Sequence, residues 1–345
     1  MSVLMVSTFP PERCGVASYA AQSVRALREA GDTVRVLTWD GGKGDILLAA
    51  PPRGRRVADL IPHCRAAGRV ILHYMPSFYT GGSRLDELLA RVWMTRLFRS
   101  VAALEVIVHE QSWYPPVDEL SVPGRLLWAL ERRQWAAART LRFHNQAAID
   151  THCKRFRLSG RNATVVTHGR DFRANYSGGR PEARRELEIS TTELTFASVG
   201  FVTPYKGYEL ALEGLSAAPD LSCRYFIVGS IHPKNDPRDQ EYLAQLKRLA
   251  GGDPRVEFRD EFVDDVAFDR WIAAADAVLL PYRSSTSSSV LARCHLLGTP
   301  AVTTRAAGLD AELHSSDVAV DSPQEFAAAL RRWRQPLAMT AGLGS

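Results

Sequence analysis

The feature that most limits what this chain can fold into is a rhythm. Apolar runs of three to five residues recur along it, each followed by a segment long enough for a helix. Strands buried on both faces of a parallel sheet read as such continuous runs, and parallel neighbours need a crossover between them. The runs fall at 3–7, 34–38, 70–73, 106–109, 140–143 and 165–167, and again at 194–198, 225–228, 256–259, 277–281, 301–304 and 318–320. Between the first two, 15–30 carries Val16, Tyr19, Val24 and Leu27 at helical spacing and stops at Gly31. Two sets of six strands predict two doubly wound α/β domains, 1–172 and 193–345. Residues 173–192, with Ser177-Gly178-Gly179-Arg180-Pro181 near their centre, form a linker that leads into a helix at 182–187. At roughly 100–200 residues per domain, 345 residues accommodate both.

Composition narrows the class. With 46% hydrophobic and 23% charged residues the chain is neither disordered nor a disulfide scaffold. Cys14, Cys64, Cys153, Cys223 and Cys294 are odd in number and show no zinc spacing, which predicts a reduced, cytoplasmic protein without a metal site. No run approaches the ~20 apolar residues of a membrane span. The net charge of +5 hides an asymmetry: residues 1–170 hold 24 Lys/Arg against 14 Asp/Glu, and the rest hold 19 against 24. A basic first half suits an acidic ligand or an anionic surface, and equally an Arg-rich solvated surface. The aromatic residues are not interleaved with Arg in a nucleic-acid-binding pattern, which speaks against that partner. The stripe Leu85, Leu88, Leu89, Val92, Trp93 and Phe98, set among Arg91, Arg96 and Arg99, reads as a core-facing helix or a peripheral membrane contact.

Ligands of wound sheets bind beyond the carboxyl ends of the strands, so the residues just after each strand matter most. After the first strand, Gly15 opens a helix without a side chain. It is either a close-approach point for a ligand or part of a plain turn. After 194–198 comes Lys206-Gly207 at a helix start, a diphosphate clamp or a solvated lysine. After 277–281, the run from Ser284 to Ser289 precedes an apolar helical stretch, which suits a phosphate as well as a simple cap. His73, His109 and His168 stand at strand ends in the first half. One such histidine reads as structural, whereas three favour a lining role.

Several elements then occur in register: Phe9-Pro10-Pro11 through Cys14-Gly15-Val16-Ala17 and Tyr19, Val199-Gly200 through Pro204-Tyr205-Lys206-Gly207, and Phe226-Ile227-Val228-Gly229 with His232-Pro233. Pro281-Tyr282 and Gly298-Thr299-Pro300-Ala301-Val302 follow. Together they resemble the retaining nucleotide-sugar glycosyltransferases of family 4. The resemblance implies a GT-B-like fold of two Rossmann-like domains facing across a cleft, the first on the acceptor side and the second holding the donor. It implies a hexosyltransferase of carbohydrate or secondary-metabolite biosynthesis, with a UDP- or GDP-linked sugar as donor and no required cofactor. Lys206 would neutralise the diphosphate, and the backbone N–H groups around Ser288, Ser289 and Val290 would cap it. Gly15 would admit the distal phosphate, His109 would touch the sugar, and Val263, within 262–264, would face the nucleobase.

The chain departs from that pattern in three places. Phe201 stands where the family often has a basic residue, for which Arg283 would compensate. The family's two glutamates fall at Ser285 and Arg293, so a protein that binds a nucleotide sugar without transferring it is the alternative. The chain also ends soon after a helix at 324–334. For the acceptor or sugar side, His73, Trp113, Tyr114, His168 and, near them, Arg125 are the wall residues nominated.

Overall fold

The computed structural model describes residues 2–39, 41–112, 114–233, 236–285, 287–305 and 309–333. The chain divides into two compact units, Met1–Phe172 and Arg173–Ser345. In the first unit the strands are β1 (Ser2–Val6), β2 (Thr33–Thr38), β3 (Ile46–Leu47), β4 (Arg69–Tyr74), β5 (Leu104–Val108), β6 (Thr140–Phe143) and β7 (Ala163–Val165). They pair in the order β3-β2-β1-β4-β5-β6-β7, all parallel. The helices α1 (Gly15–Glu29), α2 (Leu60–Arg65), α3 (Pro76–Tyr79), α4 (Arg84–Ser100), α5 (Val122–Ala137) and α6 (Gln146–Phe156) connect them. The two-residue β3 is too short to stand out as an apolar run.

The second unit contains α7 (Arg180–Glu186), β8 (Thr195–Val199), α8 (Tyr208–Ser216), β9 (Arg224–Val228), α9 (Pro237–Ala250), β10 (Val256–Arg259) and α10 (Asp265–Ala274). It continues with β11 (Ala277–Leu280), α11 (Ser289–Leu297), β12 (Ala301–Thr304), β13 (Val318–Val320) and α12 (Pro323–Arg331). Its six strands run β10-β9-β8-β11-β12-β13, again parallel. In both sheets the order reverses beside the first strand of the unit. That is where crossovers diverge and strand ends open to a ligand.

Each sheet is covered by its helices. Leu4, Val6, Val70, Leu72 and Val106 lie in the first core, and Ala197, Val199, Phe226, Val228 and Val278 in the second. Of the stripe read from the sequence on α4, only Phe98 is buried and Trp93 packs partly against the core, while Leu85 is exposed. The face of α4 turned to the first core is Ala90, Met94, Leu97 and Phe98. Arg91 is buried with them, paired at 3.0 Å to Glu131, which lies inside the unit. At the far end, Phe326 of α12 packs onto Gly214 of α8, where a Cβ would stand 2.6 Å from the Phe326 Cβ.

Residues 173–192 are folded into the second unit. Asn175 donates its backbone N–H to the buried Asp269 at 2.7 Å, and Arg184 is held by the Ala274 carbonyl at 2.9 Å and by Asp276 at 2.7 Å. A Gly-rich composition marks backbone freedom, but the flanking Tyr176 and Ala183 reach the core and order the stretch.

Candidate functional site

In the second unit the loop after β8 is built around a cation. Gly200 has a positive φ of 114°, the chain makes a 3-10 turn over Pro204–Lys206, and Gly207 enters the left-handed region at φ 58° before α8 begins. This geometry folds Lys206 inward until only 6% of it is exposed. Burial pulls its pKa from 10.5 down to about 8. Its ammonium lies 5.9 Å from the centre of the Tyr282 ring, and a Cβ on Gly200 would come within 3.1 Å of it. Among the described residues no carboxylate pairs with it, although a buried charge ordinarily recruits a partner. A Cβ at Gly207 would overlap the Pro281 carbonyl oxygen. Gly207→Ala is therefore expected to lower stability by about 2 kcal/mol or more, since the left-handed conformation alone costs roughly 1–2 kcal/mol. A urea melt that matches the wild type would refute this.

Tyr282 also reaches the second feature. Ser288 is the N-cap of α11: its hydroxyl accepts the Leu291 N–H at 3.2 Å and lies 3.5 Å from the Tyr282 hydroxyl. Ser289 and Val290 occupy the first turn of α11, where backbone N–H groups have no acceptor within the helix. Lys206 and the start of α11 thus converge on one tyrosine at the carboxyl ends of β8 and β11. Ser285 instead bonds its own loop, donating to the Ser287 carbonyl at 2.8 Å.

Two arginines have other employment. Arg283 is 65% exposed and its guanidinium grips Glu209 of α8, with Nε donating to Oε1 at 2.8 Å. The cation nominated to compensate for Phe201 is neutralised by a carboxylate 74 positions away in sequence. Arg293 is buried, donating to Asp269 at 2.6 Å and to Asp265 at 3.1 Å. It ties α11 to α10 inside the unit, in the place where the family has a glutamate. Val263 is half-buried and packs against the second core.

In the first unit the sheet order places four histidines side by side. His73 is in β4, His109 follows β5, His144 follows β6 and His168 lies beyond β7. His144 was missed by sequence reasoning, although Phe143-His144 repeats the strand-end signal of the other three. Tyr19 of α1 is the hub, with its ring centre 5.0–5.5 Å from all four imidazoles. His73 Nδ1 is 3.2 Å from His109 Nε2, His109 Nδ1 is 3.3 Å from His144 Nε2, and His144 Nδ1 is 3.3 Å from the Val166 carbonyl.

The protonation pattern of this chain follows from its end. A carbonyl only accepts, so His144 Nδ1 carries its hydrogen. Burial holds His144 down to about 4 and His73 down to about 3, and keeps His109 and His168 well below 6.5, so all four are neutral at pH 7. His144 Nε2 therefore accepts from His109 Nδ1–H, and His109 Nε2 accepts from His73 Nδ1–H. His73 Nε2 is left as a buried lone pair without a hydrogen-bond partner among the described residues. His73 and His168, nominated for the acceptor or sugar side, are buried, whereas His109 is partly exposed with both ring nitrogens occupied.

The other first-unit candidates separate. Tyr114 donates to Glu131 at 2.7 Å and accepts from Arg91 at 3.0 Å, so its hydroxyl belongs to the pair beneath α4. Arg125 is exposed and caps its own loop at the Leu120 and Asp118 carbonyls. Trp113 lies outside the described residues. Gly15 opens α1, and a Cβ there would meet nothing within 4 Å, so internal packing does not demand a glycine. No group of three or more His, Cys, Asp or Glu side chains able to hold a metal ion occurs among the described residues. Among the same residues no helix is long and apolar enough to cross a membrane.

Comparison with known proteins fits this anatomy. Residues 193–335 match the family described as "Glycosyl transferases group 1". The sequence matches no curated protein. Anabaena Alr3699/HepE, solved in complex with UDP-glucose, superposes with a TM-score of 0.69 at 16% identity, covering 97% of this chain and 90% of that one. Sucrose-phosphate synthase from Thermosynechococcus elongatus gives 0.68 at 15% identity, covering 96% and 88%. WaaG, a glycosyltransferase involved in lipopolysaccharide biosynthesis, gives 0.62 at 19% identity, covering 96% and 90%. The resemblance drawn from the motifs thus holds for the group 1 glycosyltransferases and for the GT-B fold.

Proposed function

We propose that this chain is a retaining glycosyltransferase that moves a hexose-type sugar from a UDP- or GDP-linked donor to a hydroxyl of a small-molecule or glycan acceptor. The observation that carries the reading is Lys206, a buried ammonium that no carboxylate pairs with among the described residues, linked through Tyr282 to the N-cap of α11. A cation and a helix N-terminus converging on one point make a site for a diphosphate. The complex of Anabaena HepE with UDP-glucose, on the same fold, is consistent with such a donor.

The chemistry asks little else of the protein. The acceptor oxygen bonds to the anomeric carbon on the face the diphosphate leaves, the bond from that carbon to the phosphate oxygen breaks, and the departing phosphate takes the acceptor's proton. Lys206 and the Ser289 and Val290 N–H groups balance the charge that grows on the diphosphate, which is where stabilisation lowers the barrier. The first unit is assigned the acceptor, and its basic surface favours an acidic or phosphorylated one. We place the protein in the cytoplasm, where nucleotide sugars are made.

A second reading, donor binding without transfer, is favoured by Ser285 and Arg293, where the family has carboxylates. Incubation with UDP-glucose or a GDP-hexose and a panel of hydroxylated acceptors separates the two. Free nucleotide together with a glycosylated product of unchanged anomeric configuration is the expected result. A melting temperature raised by the nucleotide without turnover selects the binder. Neither binding nor turnover with any donor removes both.

A further inference from the structure

The position that lost its cation has gained something else. Phe201, directly after Gly200, is half-buried at the end of β8, and its ring centre lies 4.9 Å from that of His232 in the loop after β9. It is also 6.1 Å from Phe262 in the loop after β10. Phe262 is 43% exposed. Because β8, β9 and β10 are neighbours, the three rings form one aromatic shelf running outward from the Lys206 loop to the sheet edge. With the His232 and Phe262 ring centres 4.9 and 6.1 Å from that of Phe201, the three rings make one contiguous aromatic face beside the Lys206 loop. Large rings left half-open at strand ends contribute little to a core and present π faces to a flat partner.

We infer that Phe201, with Phe262, is a specificity-determining surface that stacks the nucleoside half of the donor, so that this protein grips the nucleotide through its base where relatives use a second cation. The inference rests on the proposed donor site. An aromatic face is worth about 5- to 150-fold in affinity per stacked base. Such a contact is made alike in the ground and transition states, so it appears in KM and leaves kcat alone.

The test is titration calorimetry with UDP, GDP and UDP-glucose on the wild type, Phe201→Ala, Phe201→Tyr and Phe262→Ala, with melting temperatures measured in parallel. The expected result is a loss of about 10-fold for Phe201→Ala toward UDP and UDP-glucose alike, recovery in Phe201→Tyr, and a smaller loss in Phe262→Ala. In turnover, KM should rise by the same factor with kcat within about 2-fold. Binding within 2-fold of wild type in both alanine variants overturns the shelf while leaving the donor reading intact. A loss confined to UDP-glucose overturns it too, by placing the sugar on the rings. If the wild type binds no nucleotide, the donor reading fails and the shelf fails with it. Phe262→Ala keeps the test decisive should Phe201→Ala not fold, because Phe262 is an exposed residue outside the buried cores.

Discussion

Replacing Lys206 with methionine is expected to abolish sugar transfer and at the same time make the protein harder to unfold. The two effects share one cause. The ammonium is buried without a carboxylate, and its folded pKa of about 8 lies below the value of about 10.4 that an unfolded lysine has. As pH falls from 10.4 the unfolded chain takes up the proton first, so stability declines down to pH 8 and stays level below it. At pH 7 the penalty is about 3 kcal/mol, at 1.36 kcal/mol per pKa unit. An apolar side chain of similar length removes that penalty along with the charge the diphosphate requires. Activity, read as kcat/KM, should fall by about 1,000-fold, in line with the loss of a preorganised electrostatic group. In the wild type kcat/KM should be flat below pH 8 and fall about 10-fold per unit above it, as the free protein loses its cation. Lys206→Arg, whose charge persists, should carry any residual activity past pH 9 undiminished. A wild-type profile that stays level to pH 9.5, or a methionine variant whose kcat/KM stays within about 10-fold of the wild type, would remove Lys206 from the site.

Acid should act on the other unit. His73, His109, His144 and His168 are held neutral by burial, while an unfolded histidine titrates near 6.5. Between 6.5 and their folded values, about 3 for His73 and about 4 for His144, the unfolded chain binds more protons. Stability therefore rises with pH through this window and is lost as pH falls. At pH 5 His73 and His144 each cost about 2 kcal/mol, and His109 and His168 act in the same direction, against a typical total of about 5–15. The first unit should lose its packing between pH 6 and 5. Five of the seven tryptophans lie in the first 172 residues, so intrinsic fluorescence reports this transition selectively. His168→Phe should move the midpoint downward by removing one titrating group. Native fluorescence retained at pH 4.5 would contradict the neutral chain.

These two sites show what can be read from a sequence of this kind. The strands were legible because parallel strands are apolar on both faces. The Lys-Gly pair after β8 marked Lys206 as a candidate, but that the loop buries it rather than leaving it solvated is set by the turn over Pro204–Lys206. What escaped were choices of partner. Arg283 follows β11 and looks like a free cation, but a glutamate on α8 takes it up. Arg293 sits one helical turn into α11, and only the packing of α10 decides that it turns toward Asp269. The strand-end histidines were visible one at a time. That they touch depends on β4, β5, β6 and β7 lying in consecutive order, which periodicity does not encode. His144 then links His109 to the Val166 carbonyl and extends the row into a hydrogen-bonded chain.

Asp269 has one further consequence. One of its oxygens holds Arg293 and through it α11, and the other receives Asn175 at the entry to the second unit. The region recognisable by kinship begins at residue 193, yet the mechanical frame of α11 begins some twenty residues earlier. A gene fragment cut where the similarity starts would leave the carboxylate beneath α11 half-answered, along with the Ala274 carbonyl that Arg184 covers. Heredity and architecture draw the border of this module at different places, and anyone transplanting it should follow the architecture.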